Sequence, residues 1–380
     1  MSRTVAETNK RKMHSYYDYS LLFLILFLVC FGLVMIYSTS SYNAQRLYDD
    51  PTYFLQRQAL LAGAGIIVML FVSKIDYHIF AKSLPIIRIK PLTVLYFVCL
   101  LLQTYVLIFG NATKGSKRWI ELGPLGRFQP SELTKIAVIL FTAYIVNLAP
   151  KKLDKFRGFI RVCLFIAPLL GLIVVENLST AIIVCVIMVS ICFVASKKKA
   201  YYVITGLIFG ALGTVFIFFV SYRSDRITAW LHVETAENGY QILQGLYAIA
   251  SGGIFGKGLG ESMQKLGFIP ESHNDMIFSV ICEELGLFGA FALILLFILL
   301  IWRIFIIAIN STDLFGGLIA TGVLAHVATQ VLINVAVVTN TIPSTGITLP
   351  FISYGGSSVM VLLFEMGIVL SVSNQIKAER

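Results

Sequence analysis

Long apolar stretches, bounded by charged residues, Pro or Asn, follow one another along the whole chain. About 20 apolar residues is the length that an α-helix needs to cross the hydrocarbon layer of a membrane. The pattern predicts ten such helices, at 19–38, 55–73, 91–110, 131–149, 160–176, 179–195, 201–222, 276–303, 313–339 and 350–373. We therefore predict an all-α integral membrane protein with both termini on the same side.

The composition supports this fold class. Of the 380 residues, 57% are apolar and only 13% are charged, whereas a soluble domain carries about 25% charged residues. This excludes a soluble globular enzyme and a disordered chain. An outer-membrane barrel is also excluded, because its strands alternate apolar and polar residues. The six cysteines form no CxxC and no pair in a predicted outer loop, so we expect neither a disulfide framework nor a zinc site.

The positive charges predict the orientation. With the N-terminus inside, nineteen of the 30 Lys and Arg residues fall in inner segments, which is the positive-inside pattern. We predict a cytoplasmic tail at 1–18, one transmembrane domain at 19–373 with an outer loop at 223–275, and a cytoplasmic tail at 374–380. No cleavage pattern follows the first apolar stretch, so it is predicted to be an anchor. Much of the net charge of +10 is thus explained by topology, and no nucleic-acid partner is expected.

The other eleven Lys and Arg residues lie on or near the predicted outer face, where the positive-inside pattern disfavours them. Those that need an explanation are Lys114, Lys117, Arg118, Arg127, Lys135, Arg223, Arg226, Lys257 and Lys265. One interpretation is that Lys117 and Arg118 contact lipid headgroups beside an interfacial Trp119. The other is that two basic outer loops face each other and hold a phosphate or diphosphate. Glu132 and Lys135 lie three residues apart on one helical face and are predicted to form an ion pair.

Asp275 is the candidate general base. It directly precedes an apolar run, so capping of the next helix is one interpretation. It also lies near Lys265, Glu271 and His273 at the predicted mouth of an outer cleft, where a carboxylate could accept a proton. For His273, a structural role and a catalytic role are equally open.

Two further polar features lie near the outer face. Glu283 and Glu284 are about 12–14 Å into the helix after Asp275, and at least one is predicted to be paired or protonated. Residues 340–358 carry two prolines and several glycines, which indicates either a re-entrant break or a simple outer turn. The polar break at Glu176 and Asn177 lines the same cleft or only turns the chain. Within 340–358 the candidate substrate contacts are Ser353, Tyr354 and Ser357.

Several separated motifs together resemble one family. They are Arg-Trp-Ile-x-Leu-Gly and Gln-Pro-Ser-Glu within 118–132, Gly-Tyr-Gln at 239–241, Gly-Leu-Gly at 258–260, Gln-Lys-Leu-Gly at 264–267, Pro-Glu-x-His-x-Asp at 270–275, Glu-Glu-Leu-Gly at 283–286, and Leu-Pro-Phe-Ile-Ser-Tyr-Gly-Gly-Ser-Ser at 349–358. The chain resembles the shape, elongation, division and sporulation family of bacterial membrane proteins over nearly its whole length. The division and sporulation branch, with FtsW, is more similar than the RodA branch.

The resemblance implies a peptidoglycan glycosyltransferase. Such proteins polymerise lipid II at the outer face of the bacterial plasma membrane, each with a cognate class B penicillin-binding protein, and in division with other divisome proteins. Asp275 matches the family's catalytic aspartate, and Arg118, Glu132, Lys135 and Lys265 match polar positions tied to activity. The chain departs from the family in having Asn177 where an acidic residue is common, and Asn274 where Thr is common.

The chemistry that follows is an inverting transfer between two lipid-linked disaccharides. Asp275 would deprotonate the acceptor hydroxyl, while Lys117, Arg118 and Lys265 would hold the phosphates. A divalent cation, Mg²⁺ or Mn²⁺, could assist, although no dedicated ligand set is visible and no metal-binding residue is predicted. The alternatives are a lipid II flippase, with Glu283, Glu284 and Lys135 as a polar path, and a non-catalytic scaffold for partner enzymes.

Overall fold

The computed structural model describes residues 14–83, 89–113, 116–121, 123, 127–206, 221–236 and 239–378. The helices are α1 (Tyr19–Tyr48), α2 (Tyr53–Val72), α3 (Pro91–Phe109), α4 (Pro130–Leu148), α5 (Phe156–Glu176), α6 (Leu178–Ala195), α7 (Ser221–Leu231), α8 (Tyr240–Gly252), α9 (Ile277–Asn310), α10 (Leu314–Val338) and α11 (Gly356–Asn374). The strands are β1 (His14–Ser15), β2 (Asn111–Thr113), β3 (Ser116–Glu121), β4 (Arg127–Phe128) and β5 (Lys377–Ala378).

The predicted spans are confirmed wherever the structure describes them. In that part of the chain, nine helices are long and apolar enough to cross a membrane, namely α1 to α6 and α9 to α11. The remaining predicted span, 201–222, lies mostly outside the described residues. The largest differences from the predicted boundaries are three: α1 runs on to Tyr48, α9 runs on to Asn310, and α11 begins only at Gly356 because the residues before it form an irregular loop.

The centre of the bundle is formed by α4, α10 and α11, which are the most deeply buried of these helices. The helix α11 lies along α2, and contacts between α10 and both α6 and α9 close the bundle around it. Gly367 permits the close approach of α11 to α2, because a Cβ atom there would lie 2.8 Å from the Met69 carbonyl oxygen. The polar residues of the candidate site project from these central helices.

A break divides α9 into two segments at Gly286, whose backbone has φ 67° and ψ −169°. The backbone groups that lose their helical partners at this break form hydrogen bonds with residues 253–258. The carbonyl oxygens of Glu283 and Glu284 accept from Lys257 N (2.9 Å) and Gly258 N (3.0 Å). Leu287 N donates to Gly253 O (2.9 Å), and Phe288 N donates to Ile254 O (3.1 Å). A Cβ atom on Gly286 would lie 2.3 Å from Gly256 N. Residues 253–258, which we call the clip, therefore provide the hydrogen-bond partners that the backbone of the broken helix needs.

The predicted outer loop 223–275 is more structured than expected. It contains most of α7 and all of α8, and α8 packs against α9. Its clip contacts Leu287 and Phe288, which are about 15 Å along α9 from Ile277 at 1.5 Å per residue. Part of this segment thus lies beside a spanning helix and not above it.

Two small antiparallel sheets accompany the helices. Strands β2, β3 and β4 form a meander between α3 and α4 that carries Arg118, and β1 pairs with β5. The second pairing brings the two ends of the described chain together on one side of the molecule. Neither sheet is predicted by the apolar pattern, because their strands are short and lie outside the apolar stretches.

Candidate functional site

Asp275 lies where three parts of the fold meet. It is half-buried, one residue before the N-cap position of α9, which Met276 occupies. Gln241 of α8 donates from Nε2 to Asp275 Oδ1 at 3.2 Å, and Asn334 of α10 donates from Nδ2 to the Asp275 carbonyl oxygen at 2.9 Å. A Cβ atom on Gly346 would lie 3.8 Å from Oδ2, so the loop between α10 and α11 passes beside the carboxylate.

That loop, residues 339–355, is irregular and packs into the bundle. Its side chains Leu349 and Ile352 are 2% and 0% exposed. Side chains from neighbouring helices satisfy its carbonyl groups: Asn334 donates to Ile347 O (2.8 Å), Gln330 to Thr348 O (3.0 Å), Arg226 to Ser344 O (2.8 Å) and Trp230 to Asn340 O (2.9 Å). This arrangement favours the re-entrant interpretation over the simple turn, since buried irregular backbone needs such partners.

The predicted pair of Glu132 and Lys135 is confirmed. Lys135 Nζ lies 2.9 Å from Glu132 Oε1, and both side chains are almost completely buried. Ser358 of α11 donates to Glu132 Oε2 at 2.6 Å, and Lys135 donates to Gln330 Oε1 at 3.4 Å. The pair therefore links α4, α10 and α11 at the centre of the bundle.

Glu283 and Glu284 are also both paired, as the sequence predicts for at least one of them. Glu283 Oε1 accepts from Lys257 Nζ at 2.6 Å, and Glu284 Oε1 accepts from Lys265 Nζ at 2.8 Å. Both carboxylates are 0% exposed. Ser38 of α1 adds a third polar group, donating to Glu284 Oε1 at 2.6 Å.

Lys265 is placed differently from our prediction. Its ammonium donates to Glu284, to Ser38 Oγ (3.0 Å) and to the Gly260 carbonyl oxygen (2.7 Å), which accounts for its three donors. Only 5% of the residue is exposed. Buried carboxylates require a paired cation, and here Lys265 is buried with Glu284 while the partly exposed Lys257 reaches Glu283 from the surface. These two lysines therefore do not surround Asp275 in the described structure.

Arg118 lies on β3 and is half-buried, within electrostatic range of Glu176. The Gln103 amide, oriented with its nitrogen toward Glu176, donates to both carboxylate oxygens at 2.9 and 3.2 Å. Asn177 accepts from the backbone N–H groups of the first turn of α6 and so turns the chain. The Lys117 side chain, like those of Lys114 and Arg223, lies outside the described residues.

His273, two residues before Asp275 in the chain, packs in an aromatic cluster. Its ring centroid lies 4.5 Å from that of Phe54 and 5.5 Å from that of Tyr354, and its carbonyl oxygen accepts from Tyr354 N at 2.8 Å. Only 8% of the residue is exposed. Burial lowers the pKa of His273 to about 4, against a weaker raising effect of Glu271. The ring is therefore neutral at neutral pH, which favours the structural role.

Replacing His273 by Phe is expected to reduce the loss of stability in acid. Between pH 6.5 and 4 the unfolded chain binds a proton at this imidazole that the folded chain does not, so folding stability falls as the pH falls. The effect over this range is roughly 2–3 kcal/mol. Thermal unfolding of the detergent-solubilised protein from pH 7 to pH 4 measures it, with exposed His232→Gln as the control. An equally steep acid dependence in His273→Phe would contradict the assignment.

The remaining predicted residues are spread over the same region. Glu271 is exposed and accepts from Asn274 Nδ2 at 3.2 Å. Ser353 is buried and its hydroxyl accepts from Leu349 N at 2.8 Å, so it stabilises the loop. Ser357 is half-buried at the start of α11. In the described part of the chain, no group of three or more His, Cys, Asp or Glu side chains could hold a metal ion.

Comparison with known proteins decides the family. Residues 19–378 match the cell cycle protein family of FtsW, RodA and SpoVE. The chain belongs to this family. Stage V sporulation protein E of Bacillus subtilis is 38% identical over 366 residues, which cover 94% of this chain and 96% of that protein. A probable peptidoglycan glycosyltransferase FtsW of Trichlorobacter lovleyi is also 38% identical, over 371 residues that cover 95% of this chain and 94% of the relative.

Solved structures of the FtsW, RodA and SpoVE family share the fold. The rod shape determining protein RodA of Thermus thermophilus superposes with a TM-score of 0.68 at 26% identity, covering 95% of this chain and 97% of that one. A chain from a peptidoglycan synthase complex, described for its coordination of polymerisation and crosslinking, gives a TM-score of 0.76 at 27% identity and covers 95% and 98%. The resemblance drawn from the motifs is thereby confirmed.

Three polar residues near Asp275 or its loop are not predicted as site residues by the motifs or the charge pattern. Gln241 lies within the Gly-Tyr-Gln motif, whereas Gln330 and Asn334 lie inside an apolar span. A signal for the latter two exists, because His326, Gln330 and Asn334 recur every four residues on one face of α10. A stripe of polar groups in a membrane helix faces the protein interior, so the spacing alone pointed to buried partners.

Proposed function

We propose that this family member is a peptidoglycan glycosyltransferase that polymerises lipid II into glycan strands, in cell division or sporulation. The observation that carries the proposal is the setting of Asp275. Its carboxylate is half-buried and accepts from Gln241, whereas Glu132, Glu283 and Glu284 are buried inside the bundle. A general base needs access to its substrate, and the buried carboxylates lack it.

The reaction is a single inverting displacement. The Asp275 carboxylate takes the proton of the acceptor sugar hydroxyl, and the hydroxyl oxygen forms a bond to the anomeric carbon of the donor. The bond from that carbon to the diphosphate breaks, and the electron pair leaves with the diphosphate. Because this leaving group is stable as an anion, it needs cations and not a second carboxylic acid.

Arg118 and Arg226 are the cations that we propose for the diphosphate, together with Lys117. Arg226 is supported by its bond to Ser344 O in the loop that passes Asp275. Arg118 is supported by its half-buried position on β3 beside the outer end of α4. Lys265 is not part of this set, because Glu284 and Ser38 engage its ammonium. It serves to anchor the segment that leads to Asp275.

The location and partners follow from the same proposal. The chain is a multi-pass membrane protein, and the positive-inside pattern supports a plasma membrane orientation with cytoplasmic termini and Asp275 on the extracytoplasmic side. The structural relative from a peptidoglycan synthase complex supports a partner enzyme. We propose a cognate class B penicillin-binding protein as that partner, alongside other divisome proteins.

One observation favours the flippase as the second candidate. His326 of α10 and Glu365 of α11 lie 2.8 Å apart and are both 0% exposed. They extend the buried polar groups beyond the region of Asp275 into the spans. A polar route for a lipid headgroup would need such residues.

Reconstitution with lipid II separates the two functions. In liposomes that contain the purified protein and its partner transpeptidase, we expect glycan strands, resolved by length on gels, and none in protein-free liposomes. Movement of labelled lipid II between leaflets without polymer would contradict the glycosyltransferase and favour the flippase.

A further inference from the structure

We infer that Asn334 is a positioning residue for Asp275, an inference that rests on the proposed function. Its amide joins two backbone segments from different parts of the chain. One N–H donates to the Asp275 carbonyl oxygen at 2.9 Å and the other to Ile347 O at 2.8 Å. The Asn334 side chain is 0% exposed, the bond to Ile347 O is buried and the bond to Asp275 O is part-buried.

The orientation of this amide is determined by its partners. Two carbonyl oxygens face the same side-chain atom, so only the nitrogen, with its two hydrogens, satisfies both. A carbonyl oxygen in that place would be repelled by both segments. The geometry therefore requires an amide donor, and no residue without two donors can replace it.

Asn334 differs in one respect from the other amide on the same face of α10. Gln330 holds the loop at Thr348 O but reaches Lys135 and not Asp275. Only the Asn334 side chain, of these two, spans from the loop to the residue that carries the carboxylate. The Ile347 that it holds directly follows Gly346, which lines Oδ2 of Asp275. Asn334 thus sets both the main chain of Asp275 and the wall beside its carboxylate.

The Asn334 side chain projects from α10, one of the central helices and a rigid element of the bundle. Asp275 itself lies in a turn before α9, outside regular structure. A residue in a turn has more conformational freedom than one in a helix, and a displacement of about 1 Å can cost about 100-fold in rate. The hydrogen bond of Asn334 to the Asp275 carbonyl oxygen therefore fixes the position of the turn relative to α10.

The test is the rate of lipid II polymerisation by Asn334→Leu and Asn334→Ser in the full-length protein with its partner. For Asn334→Leu we expect kcat to fall about 100-fold while KM and lipid II binding stay within about threefold, because a displaced base affects the transition state and not the ground state. Asn334→Ser retains one donor and is expected to lose less. If Asn334→Leu does not fold, the serine variant with its measured melting temperature supplies the same comparison.

The control is Ser371→Ala on α11. It removes another bond from a buried side chain to a carbonyl oxygen, that of Ile75, far along the chain from Asp275. We expect unchanged kcat for this variant. If the control lowers kcat as much as Asn334→Leu does, the effect is general destabilisation and the inference is wrong. A rise in KM with unchanged kcat would also overturn it, because it would make Asn334 a substrate contact.

Asp275→Asn distinguishes failure of this inference from failure of the proposed function. If Asp275→Asn is inactive but Asn334→Leu retains full kcat, only the inference on Asn334 is wrong. If Asp275→Asn polymerises normally, the base assignment is wrong and the inference on Asn334 is wrong with it. When both single variants are impaired, the double variant is expected to be no slower than Asp275→Asn alone, since Asn334 acts through that carboxylate.

Discussion

Asp275→Asn and Asp275→Ala are expected to abolish polymerisation of lipid II. Asparagine keeps the size of the side chain and its contact with Gln241 but cannot accept the proton of the acceptor hydroxyl. Loss of a general base lowers a rate by about 100- to 10,000-fold. The measurement is the yield and length of glycan strands from purified lipid II, with the partner transpeptidase present in every reaction.

The matched control for this prediction is Glu261→Gln. Glu261 is an exposed acid in the same segment of the chain, and its loss should leave strand synthesis unchanged. Melting temperatures and partner binding should equal those of the wild type for all three variants. Full-length strands from either Asp275 variant would show that another group takes the proton.

Breaking the ion pair of Lys265 and Glu284 is expected to have the second largest effect, on stability. Glu284→Leu leaves a cation that is 5% exposed with only Ser38 and a backbone carbonyl as partners. Removing one member of a buried pair costs about 3–5 kcal/mol. The lost contact also releases the segment that precedes Asp275, so polymerisation should fall together with the melting temperature.

Two controls test this prediction: a double variant that removes both charges, and a variant that breaks an exposed ion pair. The double variant Lys265→Met with Glu284→Leu removes both charges, and we expect it to recover most of the lost stability. Lys82→Ala breaks the pair with Asp76, where the lysine side chain is 70% exposed, and should cost less than about 1 kcal/mol. A loss for Glu284→Leu as small as that for Lys82→Ala would contradict a buried, tightly coupled pair.

The spanning helices could be predicted from the sequence because the membrane imposes a simple rule. A backbone in hydrocarbon must satisfy its own hydrogen bonds, so each long apolar stretch forms a helix. The same rule made the pair of Glu132 and Lys135 predictable, since residues three apart on a helix are neighbours. The irregular loop at 339–355 was also signalled, through its prolines and glycines.

The partners of the outer lysines could not be predicted in the same way. Lys257 and Lys265 are 26 and 19 residues from the glutamates they contact. Such pairing depends on the break at Gly286 and on how the clip folds back along α9. From the sequence, an outer cation could equally have bound a phosphate. Its partner is determined by tertiary contacts, which the sequence does not reveal.

By itself the amino-acid sequence determined the fold class, nearly all of the spans, the family and the acid proposed as base, because these depend on local composition and on motifs. The tertiary structure alone decided that Lys257 and Lys265 pair with Glu283 and Glu284. It also decided that Asn334, in the middle of an apolar span, meets Asp275 across 59 residues of chain. The physical reason is that a buried polar group must find a partner, and the partner is chosen by packing and not by distance along the chain.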